Sequence, residues 1–440
     1  MRTFSDLKKE TKIHLIGIGG ISMSGIAKWL LENGYKVSGS DINKSDMVLG
    51  LERLGAKIYI GHREENVLDA NLVIYTSAIQ DDNLEILKAK KLKIPLIKRS
   101  RFLGEIINLH KNKIGISGCH GKTTVTAMLT HAFNDGGLNP TCFIGGEDKV
   151  YSNFVSGKKE YAIFEACEFR KNFLDLKTDI AVVLNIDNDH LDSFSCFDDL
   201  VKTYNDFSKN AILVYNADDK HCKKLNNLSA ISFGIENDAM YMAKNIKESD
   251  GKYSFNLYEY GKNLGKVELT VVGKHNIYNA LATIVVARKY GLSFDKIKKS
   301  LKTFTGVKRR NEFLGEFKGK KFYADYAHHP TELEATLKNL KEDFLIVFQP
   351  HTYSRTKLLM DEFVRVLKNK DLIIYKTYSA REMFDLEGSA YALRKNLTGS
   401  FYAEDKEALK KLITNSNKKS VMFLGAGDIY DIAKEIINER

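Results

Sequence analysis

Seven consecutive residues, Gly118-Cys119-His120-Gly121-Lys122-Thr123-Thr124, carry the chemistry of a phosphate-binding loop. Gly118 and Gly121 let backbone N–H groups close around phosphate oxygens, Lys122 brings a point charge to the β- and γ-phosphates, and the Thr123 hydroxyl suits Mg2+. The full GxxxxGK[ST] pattern asks for glycine at position 116 and finds Ile116, so the loop is shortened. Every group that handles phosphate is still present, and the spacing predicts ATP. Cys119 and His120 read equally well as spacing residues and as participants. Mg2+ prefers hard oxygen donors, and two stretches ending apolar runs supply them. FEACEF offers Glu165 and Glu168; LNIDNDHLD offers Asp187, Asp189, His190 and Asp192.

A second glycine-rich turn, HLIGIGGISMSG, opens the chain. Gly17, Gly19 and Gly20 follow an apolar strand and precede a helix-like segment, where nucleotide phosphates meet backbone N–H groups and the helix dipole. The strict GxGxxG fingerprint fails at its third glycine, which is Ser22. Asp41 ends the next strand at the distance where an acid binds ribose hydroxyls. NAD, another nucleotide or sugar nucleotide, and a purely structural tight turn all remain open on these residues.

These turns need strands and helices to hold them. Apolar, β-branched runs alternate with longer amphipathic stretches almost throughout, the pattern of α/β domains with parallel sheets covered by helices. One cycle runs from KIHLIGIG to KIPLIKRS, a second from NKIGISG to AISFG, and a third from KKFYADYA to GDIYDIAKEII. Short alternating pieces between Tyr241 and Val272 predict a small antiparallel sheet within the second. At 440 residues the chain exceeds the ~150-residue prior for one domain about threefold. We expect three domains, 1–107, 108–310 and 311–440: a Rossmann-like domain, a central P-loop domain and a C-terminal Rossmann-like domain.

Composition removes several classes of function. No uncharged apolar run approaches the ~18 residues of a membrane span, and the lysine-bearing N-terminus lacks a signal-peptide core, which predicts a cytoplasmic protein without a membrane span. Five cysteines without a CxxC pair indicate neither a disulfide framework nor a zinc site. The formal charge of +11 is spread along the chain and accompanies no nucleic-acid-binding signature, so small anionic ligands are expected and nucleic acid is not.

Seven motifs in order, GCHGKTT, EACE, NIDNDHLD, GKHNIYNALA, FTGVKRRNE, DYAHHPTE and FQPHTYSRT, resemble the Mur ligases over essentially the whole chain. The resemblance implies that the first turn serves a UDP-sugar and the central loop ATP. It implies an ATP-dependent amide ligase joining L-alanine to the lactyl carboxylate of UDP-N-acetylmuramate through an acyl phosphate in peptidoglycan precursor synthesis, with ADP and phosphate released. Carried over by position, Lys122 and Thr123 bind phosphate and Mg2+, with Gly118, Cys119, His120, Gly121 and Thr124 completing the loop. Glu165 and His190 ligate metal, two Mg2+ ions being expected. Asn276 and Asn279 lie at the adenine side, Arg310 approaches the transferred phosphate, and Asp325 contacts the nucleotide. Tyr326, His328, His351 and Arg355 form the amino-acid and muramate end. Gly17, Gly19, Gly20, Met23, Ser24, Asp41, Thr76 and Ser77 hold the UDP-sugar. A monomer or weak homodimer is expected.

Single motifs admit plainer readings. The two asparagines suit capping or bridging to backbone, Arg309 and Arg310 an exposed basic pair, and HHPTE a turn with Thr331 as N-cap. The chain also departs from the family pattern at Ser22, at Cys119 where threonine is usual, and at Arg101 in RSRFLGEI. A related ligase that attaches a recycled tripeptide, folylpolyglutamate synthase and an NAD-dependent oxidoreductase are the rival readings.

Overall fold

The structure is a computed structural model that describes residues 8–76, 79–187, 194–338, 340, 343–380 and 382–439. Its first sheet comprises β1 (Lys12–Ile16), β2 (Lys36–Asp41), β3 (Lys57–Ile60), β4 (Leu72–Tyr75) and β5 (Leu96–Lys98), in the order β3-β2-β1-β4-β5. All pairs are parallel. The chain moves outward from β1 to β3 and returns to the other flank of β1 at β4. The carboxyl ends of β1 and β4 thus flank a topological switch point, where open α/β sheets bind ligands. The Gly17–Gly20 turn leaves β1 there, and Thr76 follows β4.

The second sheet has ten strands: β6 (Asn112–Ser117), β7 (Thr141–Asp148), β8 (Ser152–Val155), β9 (Tyr161–Glu165), β10 (Ile180–Val183), β11 (Ile212–Asn216), β12 (Ala230–Gly234), β13 (Tyr241–Ser249), β14 (Lys252–Glu259) and β15 (Lys262–Val272). Here β6 sits between β9 and β10, parallel to both, which makes its carboxyl end the second switch point. The helix Lys122–Asp135 starts there. Its residues Ala127 to Phe133 are all buried, so it is enclosed by the protein. Each fully buried Leu or Phe in such a helix stabilises the fold by roughly 1.5–3 kcal/mol.

The antiparallel segment expected after Tyr241 exists as three strands. It extends the central sheet, because Phe233 and Gly234 of β12 pair in parallel with Tyr241 and Met242 of β13. Sequence patterning does not reveal the β7–β8 hairpin, since the Gly-Gly-Glu-Asp end of β7 reads as a turn. The buried cluster of the first sheet runs from Ile13 and Trp29 through Phe102 into Phe164 and Tyr204 of the central region. The two sheets share that core and form one unit, Met1–Val307.

Lys308–Arg440 form the other unit. Its sheet comprises β16 (Glu312–Phe317), β17 (Lys320–Asp325), β18 (Phe344–Phe348), β19 (Leu372–Tyr375), β20 (Phe401–Ala403) and β21 (Ser420–Leu424), ordered β16-β17-β21-β18-β19-β20. Only β16 is antiparallel. One expectation fails here. The helix after HHP spans Pro330–Lys338, so Thr331 lies inside its first turn and does not cap it. Proline suits the first helical position because its missing N–H has no intrahelical partner to lose, and His329 Nδ1 accepts the Thr331 N–H at 3.4 Å.

Candidate functional site

After β6 the backbone turns through left-handed conformations at Gly118 (φ +128) and Gly121 (φ +90). A Cβ on Gly121 would lie 2.5 Å from Asn279 Oδ1, so glycine is required there by packing as well as by φ. Gly121 leads into the Lys122–Asp135 helix without a side-chain cap, leaving first-turn N–H groups for a phosphate. The loop is held by Asn185, which sequence reasoning passed over within LNIDNDHLD. Asn185 Oδ1 accepts the His120 N–H at 2.8 Å, its Nδ2 donates to the His120 carbonyl at 3.0 Å, and its own carbonyl accepts the Cys119 N–H at 3.3 Å. The Cys119 thiol accepts from the Asp187 N–H (3.2 Å) and donates to the Asp187 carbonyl (3.4 Å). Sulfur therefore serves as donor and acceptor at the position where the family usually carries threonine.

Lys122 folds back onto the Gly118 and Cys119 carbonyls and lies 3.3 Å from both oxygens of Glu168, a carboxylate with no exposure. Burial disfavours its charge, yet Glu168 and neighbouring groups outweigh burial and raise the pKa, so Lys122 stays an ammonium. Asn276 and Asn279 are 5 % exposed. Asn276 Nδ2 donates to the Val272 carbonyl (2.8 Å) and Asn279 Nδ2 to Asn276 Oδ1 (2.9 Å). Asn276 thus bridges to backbone from inside the His275–Lys289 helix and does not cap it, while Asn279 faces the loop at Gly121.

The end of β7 fits against the oxygen donors. Gly145 N–H donates to Glu165 Oε1 at 2.7 Å, and a Cβ on Gly145 would fall 2.2 Å from Glu165 Oε2. On the next residue, Gly146, a Cβ would fall 2.8 Å from Thr123 Cγ2. Thr123 and Glu165 thus both pack against the end of β7 and offer one hydroxyl and one carboxylate. Among the described residues no three His, Cys, Asp or Glu side chains converge on a metal position. Mg2+ keeps water and substrate phosphates among its ligands and asks for only one or two carboxylates, so this donor set fits it. Asp189, His190 and Asp192 lie outside the described residues.

At the first turn, Gly17 has φ +78 and its N–H donates to the Ser40 carbonyl. Gly19 N–H donates to Asp41 Oδ2 at 2.9 Å, and a Cβ there would strike Val48 and Asp41. Gly20 opens the Ile21–Glu32 helix, again without a side-chain cap. Gly17, Gly19, Gly20 and Asp41 are therefore neighbours, and Thr76 lies beside Gly17. Met23 and Ser24 are buried: Met23 joins the core, and the Ser24 hydroxyl donates to the Ile21 carbonyl and accepts from Asn153. Ser77 lies outside the described residues.

In the second unit the carboxyl ends of β17 and β18 bring a further group together. Asp325 accepts from the N–H groups of Asn311 (2.8 Å) and Ala327 (2.9 Å); burial pushes its carboxyl up, with Arg310 opposing. Arg310 is exposed, as the plain reading has it, and its guanidinium lies 5.4 Å from the Tyr326 ring. Arg309 instead covers the Tyr430 ring at 4.4 Å. Rings of Tyr326, His328, His351 and Tyr378 follow one another at 5.2, 5.6 and 5.4 Å. Burial first, then His328 and Arg355, push His351 down to about 4, so its ring is neutral at pH 7. Sequence reasoning missed Glu332. Burial works against its charge, but His328 and Arg310 hold it well below the usual range, and its Oε2 accepts the His328 N–H at 3.0 Å. The Arg355 Nη1 and His351 Nδ1 atoms are buried and have no hydrogen-bond partner among the described residues.

Two glycine-led helix ends lie at switch points of two sheets in one unit, the geometry of an α/β protein with two turns suited to phosphate, and the third sheet carries a basic, histidine-lined cluster. The chain belongs to the Mur ligase family: residues 12–111 match its "Mur ligase family, catalytic domain", residues 116–287 its "Mur ligase middle domain", and residues 309–427 its "Mur ligase, glutamate ligase domain". A relative from Aquifex aeolicus (strain VF5), named UDP-N-acetylmuramate--L-alanine ligase, is 42% identical over 444 residues, with 97% of each chain covered. One of the same name from Clostridium beijerinckii is 44% identical over 388 residues, covering 85% of this chain and 84% of that one. The crystal structure of the UDP-N-acetylmuramate-alanine ligase of Thermotoga maritima superposes with a TM-score of 0.85 at 27% identity, covering 97% of this chain and 98% of that one. A murein peptide ligase from Psychrobacter arcticus shares the fold, with a TM-score of 0.77 at 21% identity and coverage of 97% and 98%. No helix among the described residues is long and apolar enough to cross a membrane.

Proposed function

We propose that the chain joins L-alanine to UDP-N-acetylmuramate with ATP, as a cytoplasmic enzyme of peptidoglycan precursor synthesis, with residues 1–107, 108–310 and 311–440 as its working domains. The observation that carries this reading is the 42% identity across 97% of a relative named for that reaction. The uncapped helix at Gly121 and the charged Lys122 beside it support ATP as the phosphate donor.

A carboxylate is a poor acyl donor, because its leaving group would be oxide. In the proposed reaction the lactyl carboxylate attacks the γ-phosphorus, the bond to the β-phosphate oxygen breaks, and ADP leaves an acyl phosphate behind. The neutral amine of L-alanine then attacks the acyl carbon, phosphate departs, and the amine loses its proton. Lys122 offsets charge as two anions are brought together, and Arg310 is assigned to the transferred phosphate, electrostatic roles that dominate phosphoryl transfer. Thr123, Glu165 and His190 would hold Mg2+, two ions in this reading, which neutralises phosphate charge when bound. Asn276, Asn279 and Asp325 are assigned to the nucleotide. Tyr326, His328, His351 and Arg355 are assigned to the amino-acid and muramate end, and Gly17, Gly19, Gly20, Met23, Ser24, Asp41, Thr76 and Ser77 to the UDP-sugar. We propose a monomer or weak homodimer.

The test is ADP release with ATP, Mg2+ and UDP-N-acetylmuramate, comparing L-alanine with the tripeptide L-Ala-γ-D-Glu-diaminopimelate. Turnover with alanine that Lys122→Ala abolishes is the expected result. Turnover only with the tripeptide would replace this reading by a recycling one, and release of ADP with neither would end it.

A further inference from the structure

Arg99 stands at the start of the Arg99–Ile107 helix, directly after β5, and its Nη1 donates to Ser22 Oγ at 2.8 Å. Among the described residues no carboxylate pairs with this half-buried guanidinium. Burial lowers its pKa, and the one group opposing that effect is the Cys167 thiol. That thiol is itself pushed up to about 11 by burial and then by Glu168, so it carries no useful charge at pH 7. Arginine keeps its proton in such surroundings. Among the described residues this half-buried cation has a neutral hydroxyl as its hydrogen-bond partner and no counter-charge, which leaves its fork available to an anionic ligand.

Its surroundings indicate what is missing. Ser22 lies one residue into the helix that Gly20 opens without a side-chain cap. The guanidinium and the first-turn N–H groups are independent sources of positive potential on the same turn, and a planar fork suits the paired oxygens of a diphosphate. Ser22 is also the residue that breaks the glycine fingerprint, and its hydroxyl has a use: it holds Arg99 toward the turn. We infer that Arg99 is a ligand of the diphosphate of the UDP-sugar, stationed by Ser22. The inference rests on the proposed function for the identity of the sugar nucleotide.

The test uses the full chain and binding alone. Isothermal titration calorimetry reads the binding of each ligand directly. Titrations with UDP, UDP-N-acetylglucosamine and UDP-N-acetylmuramate are compared in the parent, Arg99→Ala, Arg99→Lys and Ser22→Gly, with ATP binding measured on each variant as a check of its fold. Arg99→Ala should weaken all three uridine ligands by about 10- to 100-fold, the range for a lost charge-assisted contact, while ATP affinity stays within about twofold. Arg99→Lys should recover part of the loss, since the charge returns without the fork. Ser22→Gly should change affinity by no more than a few-fold.

Binding of UDP and UDP-N-acetylglucosamine by Arg99→Ala at parental affinity would overturn the inference. A loss confined to UDP-N-acetylmuramate would also overturn it, since only that ligand has the lactyl carboxylate. A parent that binds ATP but no uridine ligand would refute the UDP-sugar reading of the first sheet, and this inference with it.

Discussion

Gly145→Ala puts the oxygen donors of the central site to a quantitative test. The new methyl carbon would lie 2.2 Å from Glu165 Oε2 and 2.4 Å from Glu165 Cδ, whereas ordinary contact begins near 3.4 Å, so the carboxylate has to withdraw by about 1.2 Å (3.4 less 2.2). The obstacle is the far end of a flexible side chain, which can rotate, so the fold loses only about 1–3 kcal/mol. The catalytic cost is larger. A displacement near 1 Å in a positioned group costs about 10²-fold, and Glu165 is the described carboxylate assigned to the metal. We expect kcat/KM to fall about 100-fold and the Mg2+ concentration for half-maximal rate to rise by about tenfold, while the melting temperature drops by a few degrees. Coupled ADP release over a Mg2+ series and a thermal melt read these effects separately. Gly50→Ala is the control, because nothing lies within 4 Å of its added Cβ. Parental kcat/KM with parental Mg2+ dependence in Gly145→Ala would show that the Glu165 position seen here is not the working one.

Three further outcomes follow from the same site. Lys122→Met should destabilise the protein by about 3–5 kcal/mol by leaving Glu168 buried and unpaired; adding Glu168→Gln should restore most of that stability in urea unfolding without restoring ligase activity. Asn185→Ala removes both side-chain bonds to the His120 backbone and should raise the KM for ATP about 10- to 100-fold, with the KM for L-alanine unchanged. His351 is depressed to about 4 in the folded chain from an unfolded value near 6.5. The unfolded chain therefore takes up the proton first, and the stability this group contributes above pH 6.5 is lost as pH falls from 6.5 to about 4. His351→Leu should flatten that part of the pH profile in thermal melts, by on the order of 2 kcal/mol after a discount for its partly exposed ring.

Much of this arrangement is legible in the residues. Apolar runs with β-branched side chains identify most parallel strands, and glycines at strand ends identify both turns, because few residues besides glycine tolerate φ +128 or +90. What escapes is whatever depends on long-range packing. Asn185 looks like a loop asparagine until β10 lies beside β6 and its amide meets the His120 backbone. Glu332 looks like a first-turn helix acid until His328 and Arg310 surround it. Gly145 looks like a turn glycine within FIGGED until β9 delivers Glu165 against it.

The β7–β8 hairpin gives the physical reason why the two glycine-rich turns share one unit. Near its tip, Asp148 accepts from His131 Nε2 at 3.0 Å on the Lys122–Asp135 helix, and burial of that carboxylate is outweighed by the His131 bond and two backbone N–H groups. On the strand that returns, Asn153 is 1 % exposed. Its Nδ2 donates to the Ile21 carbonyl (2.6 Å) and Ser24 Oγ (2.8 Å), and its Oδ1 accepts from Lys28 Nζ (2.6 Å). The hairpin therefore grips the helix behind Gly121 with β7 and the helix behind Gly20 with β8, while Gly145, also on β7, seats Glu165. A buried amide with these partners is costly to leave unsatisfied, at about 1–3 kcal/mol for each orphaned group. The Gly20 helix end is thereby fixed to the hairpin that also sets Glu165. Rigid coupling of this kind suits a reaction in which an acyl group carried by one nucleotide has to meet the terminal phosphate of another, because it confines two independent binding events to a single geometry.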